Sequence, residues 1–147
     1  MLNADSIIHG IGGGYYHESI VDSIDFDPDT VVLAFGTNDF GHYDTYDELR
    51  YHASAFFSLI TKEYGKKEIF AISPTWRGRS VEKPMGTFVG ARKILIEEIE
   101  RAGIRHIDGM TLLPHLPEYF ADEWLHPNAL GFSIYAENLI RAMNKTK

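Results

Sequence analysis

A histidine closely preceded by two acidic residues stands near the end of the chain. His126 follows Glu123 by three positions and Asp122 by four, in the segment DEWLHPN. A histidine works as a general base when a carboxylate fixes the tautomer of its ring, and either acidic side chain could reach it. The alternative is a loop histidine that only forms a hydrogen bond where the following helix begins.

Groups that could hold a developing negative charge occur in two other segments. The glycine run GIGGG at residues 10–14 offers bare backbone N–H groups, including those of Gly12 and Gly13. The segment GTND offers the side-chain amide of Asn38, with Thr37 beside it. Such donors are what an oxyanion hole requires. Each segment could instead make only a tight turn, because glycine and asparagine are common turn residues.

An aromatic and a cationic side chain, Trp76 and Arg77, follow another apolar run. In a loop at the mouth of a pocket they could stack on a sugar or an acyl group of a substrate. Exposed loop aromatics equally often form lids or interfaces, so this interpretation and the substrate-binding one both stand.

The composition excludes several other kinds of site. The 147 residues include no cysteine, which rules out disulfides, thiolate metal ligands and a cysteine nucleophile. The six histidines other than His126 show no metal-ligand spacing, so we expect no metal and no cofactor. A net charge of -7 argues against nucleic acid and anionic membranes as partners and favours a small-molecule ligand.

The elements that must position these groups follow from the apolar pattern. Short apolar runs predict four buried parallel strands, at residues 6–11, 30–35, 68–72 and 104–107. Helical spacing predicts amphipathic helices at residues 46–63 and 87–102, a third after Asn128, and a weaker one at residues 17–24. The expected buried face of the third helix comprises Phe132, Tyr135, Ala136, Leu139, Ile140 and Met143.

Strands that alternate with helices predict a single α/β domain, with a parallel sheet covered on both faces. Ligands bind to such sheets beyond the carboxyl ends of the strands. The glycine run, the GTND segment and the loop with Trp76 and Arg77 each follow a predicted strand, and His126 precedes the last helix. We therefore expect these segments to surround one pocket.

In combination, the motifs resemble those of the SGNH, or GDSL-type, serine ester hydrolases. GIGG, then GTND some two dozen residues later, then an acid-x-x-His-Pro-Asn sequence before the last helix are similar to blocks II, III and V of that family. The segments ISPTWRGR and DGMTLLPH are similar to segments of its bacterial members. The resemblance spans nearly the whole chain and implies a three-layer α/β/α, flavodoxin-like fold.

The resemblance also implies roles for individual residues. By it, Gly13 and Asn38 supply the oxyanion donors, with Gly12 as the alternative to Gly13, and His126 is the catalytic base. The family's acid stands three positions before its histidine, which favours Glu123 slightly over Asp122. The implied substrates are small O-acyl esters, such as acetylated carbohydrate or lysophospholipid.

The chain departs from the family at the nucleophile, because the Gly-Asp-Ser block that ends the family's first strand is not evident. Ser6, in the segment ADSI, is the nearest match, but it begins an apolar run instead of following one. The expected function is therefore an ester hydrolase, or the C-terminal part of one, whose serine lies elsewhere. The alternative is a non-catalytic binding or assembly module that keeps the fold and has lost the serine.

A missing first block also means a missing strand. In the strand order 2-1-3-4-5 of flavodoxin-like sheets, that strand lies between the first two strands predicted here, and its loss would expose unpaired backbone groups. We expect residues 6–11 to pair directly with residues 30–35, or a second copy or another polypeptide to fill the gap. The expected protein is thus a homo-oligomer or lacks an N-terminal segment.

The first ten residues lack the basic start and apolar core of a signal peptide, and no run approaches the roughly 20 apolar residues of a membrane span. A cytoplasmic location is the expectation.

Overall fold

The protein is described here as a computed structural model covering residues 5–21 and 26–145. Three strands, β1 (Thr30–Leu33), β2 (Glu68–Ile72) and β3 (Arg105–Ile107), form one parallel sheet in the order β1-β2-β3. Within it, Val31 lies opposite Ile69 and Ala71 lies opposite His106. The predicted parallel α/β class is confirmed.

Within residues 5–21 and 26–145, four α-helices accompany the sheet: α1 (Asp39–His42), α2 (Tyr46–Tyr64), α3 (Phe88–Arg101) and α4 (Ala129–Lys145). Short 3-10 turns lie at Glu18–Ile20, Gly109–Thr111 and Pro117–Tyr119. The side chains of β2 alternate between two clusters. Ile69 and Ala71 pack into the main core with α2 and α3, whereas Phe70 and Ile72 pack against α4. The sheet is therefore covered on both faces, which gives the predicted three layers.

The segment predicted as the first strand, residues 6–11, forms no strand. Ile7, Ile8 and Ile11 are exposed to solvent. The predicted strand and its direct pairing with residues 30–35 are both wrong. A strand forms only where a neighbouring strand pairs with its backbone groups, so an apolar run alone does not suffice. Within the described ranges, β1 pairs with β2 on one edge and with no strand on the other.

The weaker helix predicted at residues 17–24 is reduced to the 3-10 turn Glu18–Ile20, and residues 22–25 of that prediction lie outside the described residues.

Helix α2 confirms the helix predicted at residues 46–63. Thr45 Oγ1 accepts a hydrogen bond from Glu48 N at 3.1 Å, and Glu48 Oε2 accepts one from Asp44 N at 3.0 Å. This arrangement resembles a capping box, except that the Glu48 carboxylate accepts from the N–H of Asp44 and not from that of the capping residue Thr45. The buried face consists of Leu49, Ala53, Phe56, Phe57 and Ile60. Burial of each large side chain contributes roughly 1.5–3 kcal/mol.

Helix α3 is confirmed in the same way. Thr87 Oγ1 accepts a hydrogen bond from Gly90 N at 3.1 Å. Its apolar face is buried, at Phe88, Ala91, Leu95 and Ile99. Helices α2 and α3 are also joined by charge, because Arg50 donates to Glu97 at 2.7 Å and to the buried Glu98 at 2.5 Å.

Helix α4 packs more lightly than the other long helices. Its side chains Tyr135, Leu139, Ala142 and Met143 are only partly buried, against Phe70, Ile72, Ile107 and Leu112. Phe132 is 58% exposed and Ala136 is also exposed, so the prediction that both are buried is wrong. Three short strands offer too narrow a surface to cover the whole apolar side of a 17-residue helix.

No helix in the described part of the chain has the length and apolar character needed to cross a membrane.

Candidate active site

A cavity of about 270 Å³ opens beyond the carboxyl ends of β1 and β2. Three of the four predicted segments line it. GTND contributes Thr37 and Asn38, the loop after β2 contributes Ser73, Pro74 and Thr75, and the last loop contributes Leu125, His126 and Pro127. Phe132 and Tyr135 of α4 also line the cavity. The parallel-sheet rule therefore located the pocket correctly.

A larger hollow of about 440 Å³ lies on the outer surface of α2, lined by Arg50 and Arg101 among others. Arg50 pairs with Glu97 and Glu98, and Arg101 pairs with Glu98. Because both cations are neutralised by carboxylates, we assign no ligand to this surface.

His126 is hydrogen-bonded directly to Asp122. His126 Nδ1 lies 2.7 Å from Asp122 Oδ2. The other carboxylate oxygen, Asp122 Oδ1, accepts hydrogen bonds from the backbone N–H groups of Trp124, Leu125 and His126, at 3.1, 2.8 and 3.0 Å. One oxygen thus faces the imidazole ring while the other orders the loop that carries it.

This environment keeps the Asp122 carboxylate ionised. Desolvation acts to raise the pKa of Asp122, but the hydrogen bonds from Leu125, His126 and Trp124 outweigh it and hold the pKa well below its ordinary value of 3.8. A carboxylate at Nδ1 favours a proton on that nitrogen, which leaves the lone pair on Nε2. Because the His126 side chain is 75% exposed, Nε2 is accessible to a reacting group.

The preference for Glu123 as the partner of His126 is corrected by this geometry. Glu123 has a backbone φ of 68°, in the left-handed region, and is the one non-glycine residue of the described ranges with a positive φ. A backbone hydrogen bond of 2.7 Å from Ala121 N to His126 O also closes this loop into a turn. This turn brings the carboxylate four positions before the histidine, not three, against its ring.

The glycine run forms a tight turn beside Asn38. Gly14 N donates to Ile11 O at 3.0 Å, and Gly13 occupies the third position of this turn with a φ of 73°. Glycine adopts such a conformation without strain. Asn38 Nδ2 donates to Gly14 O at 3.0 Å. One N–H of the amide is therefore anchored on the turn, and the second remains for a ligand.

Asp39, which was not predicted from the sequence, links the GTND segment to the residues that follow the glycine turn through a buried hydrogen bond. Asp39 Oδ1 accepts a hydrogen bond from Tyr16 N at 2.8 Å, and the side chain is fully buried. Burial raises the pKa of Asp39 to about 6, against the opposing effect of backbone hydrogen bonds. The signal was present in GTND as a carboxylate next to the asparagine, but Asn-Asp is also an ordinary turn pair.

The first residue of GTND must be glycine for steric reasons. Gly36 has a φ of 106°, and a Cβ atom there would lie 2.7 Å from Leu95 Cδ1 and 2.8 Å from Pro74 Cγ. Only a residue without a side chain lets β1 end this close to α3 and to the loop after β2.

Among the predicted substrate-binding residues, Thr37 lines the cavity, whereas Gly12, Trp76 and Arg77 lie outside its lining. Trp76 stacks on His115 with ring centroids 5.7 Å apart and packs against Phe120 at 5.0 Å. The indole therefore packs the loop after β2 against the segment that leads to His126.

Arg77 lies among aromatic rings of three different segments. Its guanidinium is 5.6, 5.0 and 5.5 Å from the ring centroids of Phe40, Phe88 and Trp124. Desolvation lowers the pKa of this guanidinium. The contact with Trp124 holds the loop of Asp122 and His126 against α1 and α3, which is a packing role.

No protein-family model and no curated protein matches the sequence, but solved structures match the fold. Among them are a peptidoglycan O-acetylesterase with a TM-score of 0.66 and 14% identity over 80% of this chain, and a salicylyl-acyltransferase from a tetracycline biosynthetic pathway with a TM-score of 0.64 and 22% identity over 83%. A GDSL-like lipase from Bacteroides ovatus has a TM-score of 0.63 and 21% identity over 82%.

The chain spans 37%, 39% and 36% of the lengths of these three proteins, in the same order. At such identities the likeness is one of fold. The expectation drawn from GIGG, GTND and the histidine segment is confirmed at that level: the chain has the α/β fold of the SGNH, or GDSL-type, ester hydrolases.

Proposed function

We propose that the chain supplies the acid–base dyad and the oxyanion donors of a serine ester hydrolase. The observation that supports this most strongly is the shared cavity of Asn38 and His126, which stand on different loops far apart in sequence. A general base and a side-chain amide beside one small pocket are the two elements that acyl transfer needs besides its nucleophile.

In the proposed reaction a serine hydroxyl attacks the ester carbonyl and His126 Nε2 takes its proton. Asp122 stabilises the resulting imidazolium through Nδ1. The free N–H of Asn38, which lines the cavity, donates to the oxyanion. The backbone N–H of Gly13, which lies outside the cavity lining, is proposed as the second donor on the resemblance alone. His126 then returns the proton to the departing alcohol. In the second half, His126 deprotonates water, which attacks the acyl-enzyme. The imidazolium then gives that proton to the serine oxygen as its bond to the acyl group breaks and the acid leaves.

The nucleophile is proposed to come from sequence beyond these 147 residues. Ser73 lines the cavity, but it is almost fully buried, and its Oγ accepts hydrogen bonds from Arg92 at 3.1 Å and from Gly109 N at 3.2 Å. Those contacts fit a structural role, because the hydroxyl is bonded to α3 and to the 3-10 turn Gly109–Thr111. Ser6 lies in an exposed segment without regular structure.

The proposed substrates are small O-acyl esters. A volume of about 270 Å³ lies just below the roughly 300–1,000 Å³ typical of ligand pockets, which favours a short acyl group over a long chain. Two neighbours in fold are a peptidoglycan O-acetylesterase and an acetyl xylan esterase. Acetylated carbohydrate is therefore the first substrate class to test, ahead of lysophospholipid.

The test compares this chain with a version extended upstream in its own reading frame to include a Gly-Asp-Ser segment. With p-nitrophenyl acetate, the 147-residue chain is expected to be nearly inactive, because a base and an oxyanion hole alone leave only residual catalysis. The extended protein is expected to turn over, and His126→Ala should remove most of its activity.

Three outcomes would contradict the proposal. Full activity of the extended His126→Ala variant would exclude the dyad. Turnover by the short chain that Ser6→Ala abolishes would place the nucleophile at Ser6. Absence of both an upstream Gly-Asp-Ser and any esterase activity would favour a non-catalytic binding module.

A further inference from the structure

Three side chains with metal-binding atoms meet on the surface outside the cavity. His17 and Glu18 lie at the start of the 3-10 turn Glu18–Ile20, and His52 lies on α2. One ligand atom from each residue can be chosen so that all three lie within 4.8 Å of one another. The cluster joins parts of the chain that sequence spacing does not connect, which is why the histidine count gave no sign of it.

The distances are close to those that a metal ion imposes. Glu18 Oε2 lies 3.0 Å from His52 Nδ1 and 3.9 Å from His17 Nδ1. A tetrahedral zinc ion with bonds of about 2.0–2.1 Å holds its ligand atoms roughly 3.4 Å apart. These two distances lie on either side of that value, and all three ligand atoms lie within 4.8 Å of one another. Side-chain rotations would therefore bring the three atoms onto one ion.

The hydrogen bonds of the cluster also suit a cation. His52 Nδ1 and Glu18 Oε2 share one hydrogen bond of 3.0 Å. His17 Nδ1 accepts a hydrogen bond from Ser19 N at 3.1 Å, which means that it carries a lone pair, and it also lies 2.8 Å from Ser19 Oγ. The ion would displace both contacts with Ser19 and the proton shared by His52 and Glu18.

The three side chains are partly exposed to solvent, and the ring of His52 is held by stacking on its neighbours. The side chains of His17, Glu18 and His52 are 30%, 36% and 23% exposed, which leaves a path for an ion and room for a water ligand. The ring of His52 lies between those of His17 and Tyr43, with centroids 4.7 and 5.0 Å away. Tyr43 is fixed in turn by its hydroxyl, which donates to Tyr16 O at 2.5 Å.

We propose that His17, Glu18 and His52 bind one divalent transition-metal ion of the zinc type, with water completing the coordination. Two imidazoles and one carboxylate are a common zinc ligand set. The ion would link α2 to the segment that follows the glycine turn. This site is independent of the proposed esterase, because none of its residues lines the cavity.

The test is a calorimetric titration of the chain, free of any histidine tag, with Zn²⁺. One ion per chain is expected to bind, and binding should weaken as the pH falls because protons compete for the same atoms. His17→Gln, His52→Gln and Glu18→Gln should each weaken binding at least about tenfold, since even residues that only support a metal ligand contribute that much. Co²⁺ should give the intense visible absorption of four-coordinate cobalt.

His115→Gln is the matched control, because His115 is exposed, stacks on Trp76 and bonds Met110 O at 2.8 Å, away from the cluster. It should bind Zn²⁺ like the unchanged chain. Circular dichroism of each variant checks folding, and Glu18→Gln, the mildest change, keeps the test valid if a histidine variant unfolds. Binding that is absent in the unchanged chain, or equally strong in the three cluster variants, would overturn the proposal.

Discussion

The side-chain amide of Asn38 donates a hydrogen bond of 3.0 Å to the carbonyl oxygen of Gly14. The two residues belong to segments that the sequence presents as separate turns. The hydrogen bond fixes the direction of the amide and holds the GTND segment against the glycine turn. Preorganised donors of this kind stabilise a developing charge without rearranging during the reaction.

Replacement of Asn38 by alanine should therefore impair catalysis more than folding. In the extended, active protein we expect kcat to fall by about 10²- to 10³-fold. Steady-state kinetics on p-nitrophenyl acetate would measure the loss. Asn144→Ala, at the exposed end of α4, is the matched control and should leave kcat unchanged. Equal kinetics for both variants would remove Asn38 from the oxyanion site.

Asp122→Asn should separate the two tasks of this side chain. An asparagine oxygen can still accept the three backbone hydrogen bonds that order the loop, but it offers no ionised oxygen to the imidazole. We expect activity of the extended protein to fall by about 10³- to 10⁴-fold with little change in melting temperature. Glu123→Gln should have almost no effect on either quantity. A larger loss from Glu123→Gln would reverse the assignment of the acid.

The tautomer of the His126 ring can be tested without an activity assay. In the 147-residue chain, nitrogen-15 NMR of His126 should show the proton on Nδ1 and the lone pair on Nε2, because Asp122 faces Nδ1. The Asp122→Asn variant should lose this preference. An unchanged tautomer in that variant would mean that the carboxylate does not control the ring.

Asp39 should make the protein less stable as the pH rises. Its pKa of about 6 when folded exceeds the ordinary value of 3.8, so the folded state binds the proton more tightly than the unfolded state. The contribution of Asp39 to stability is then highest below about pH 4, falls between there and pH 6, and levels off above, by about 3 kcal/mol at most. Asp39→Asn should lose this pH dependence and be the more stable protein above pH 6.

Urea denaturation at several pH values would measure the effect, with the exposed Asp44→Asn as the control. A variant of Asp39 that is less stable than the unchanged protein above pH 6 would show instead that Tyr16 N requires the ionised carboxylate.

Gly36→Ala should destabilise the fold, since the added Cβ would overlap Leu95 and Pro74 in a backbone conformation that strains any other residue. Overpacking and strain together predict a loss of roughly 2–5 kcal/mol in the free energy of unfolding. Gly41→Ala is the control, because a Cβ there meets no atom within 4 Å. Two variants of equal stability would contradict the packing described around Gly36.

The parts of the fold that could be predicted from sequence are those fixed by local signals. Helix α2 begins where Thr45 caps it, and α3 ends just before Gly103, whose φ of 70° suits glycine after a helix. The position of the pocket was also predictable, because it follows from strand direction alone. These features depend on neighbours in the chain or on a general rule of topology.

The parts that could not be predicted depend on contacts between distant residues or on one torsion angle. Residues 6–11 have the apolar pattern of a strand, but a strand needs a partner, and pattern does not reveal whether one is available. The choice of Asp122 over Glu123 depends on the left-handed φ of Glu123, which no spacing rule contains. The exposure of Phe132 follows from the width of the sheet, which is a property of the assembled fold.

Helices cover the two faces of the sheet unequally, and this difference determines which part of the molecule unfolds first. Helices α2 and α3 enclose the main core, whereas α4 rests on a small cluster through partly buried side chains. Local opening is easiest where few apolar contacts must be broken. Amide hydrogens of α4 should therefore exchange with deuterium well before those of α2. The loop that carries His126 leads directly into α4. We therefore expect His126 to lose its position when α4 opens, while Asn38 stays in place beside the main core. Mild denaturation should separate the two halves of the site while most of the core remains folded.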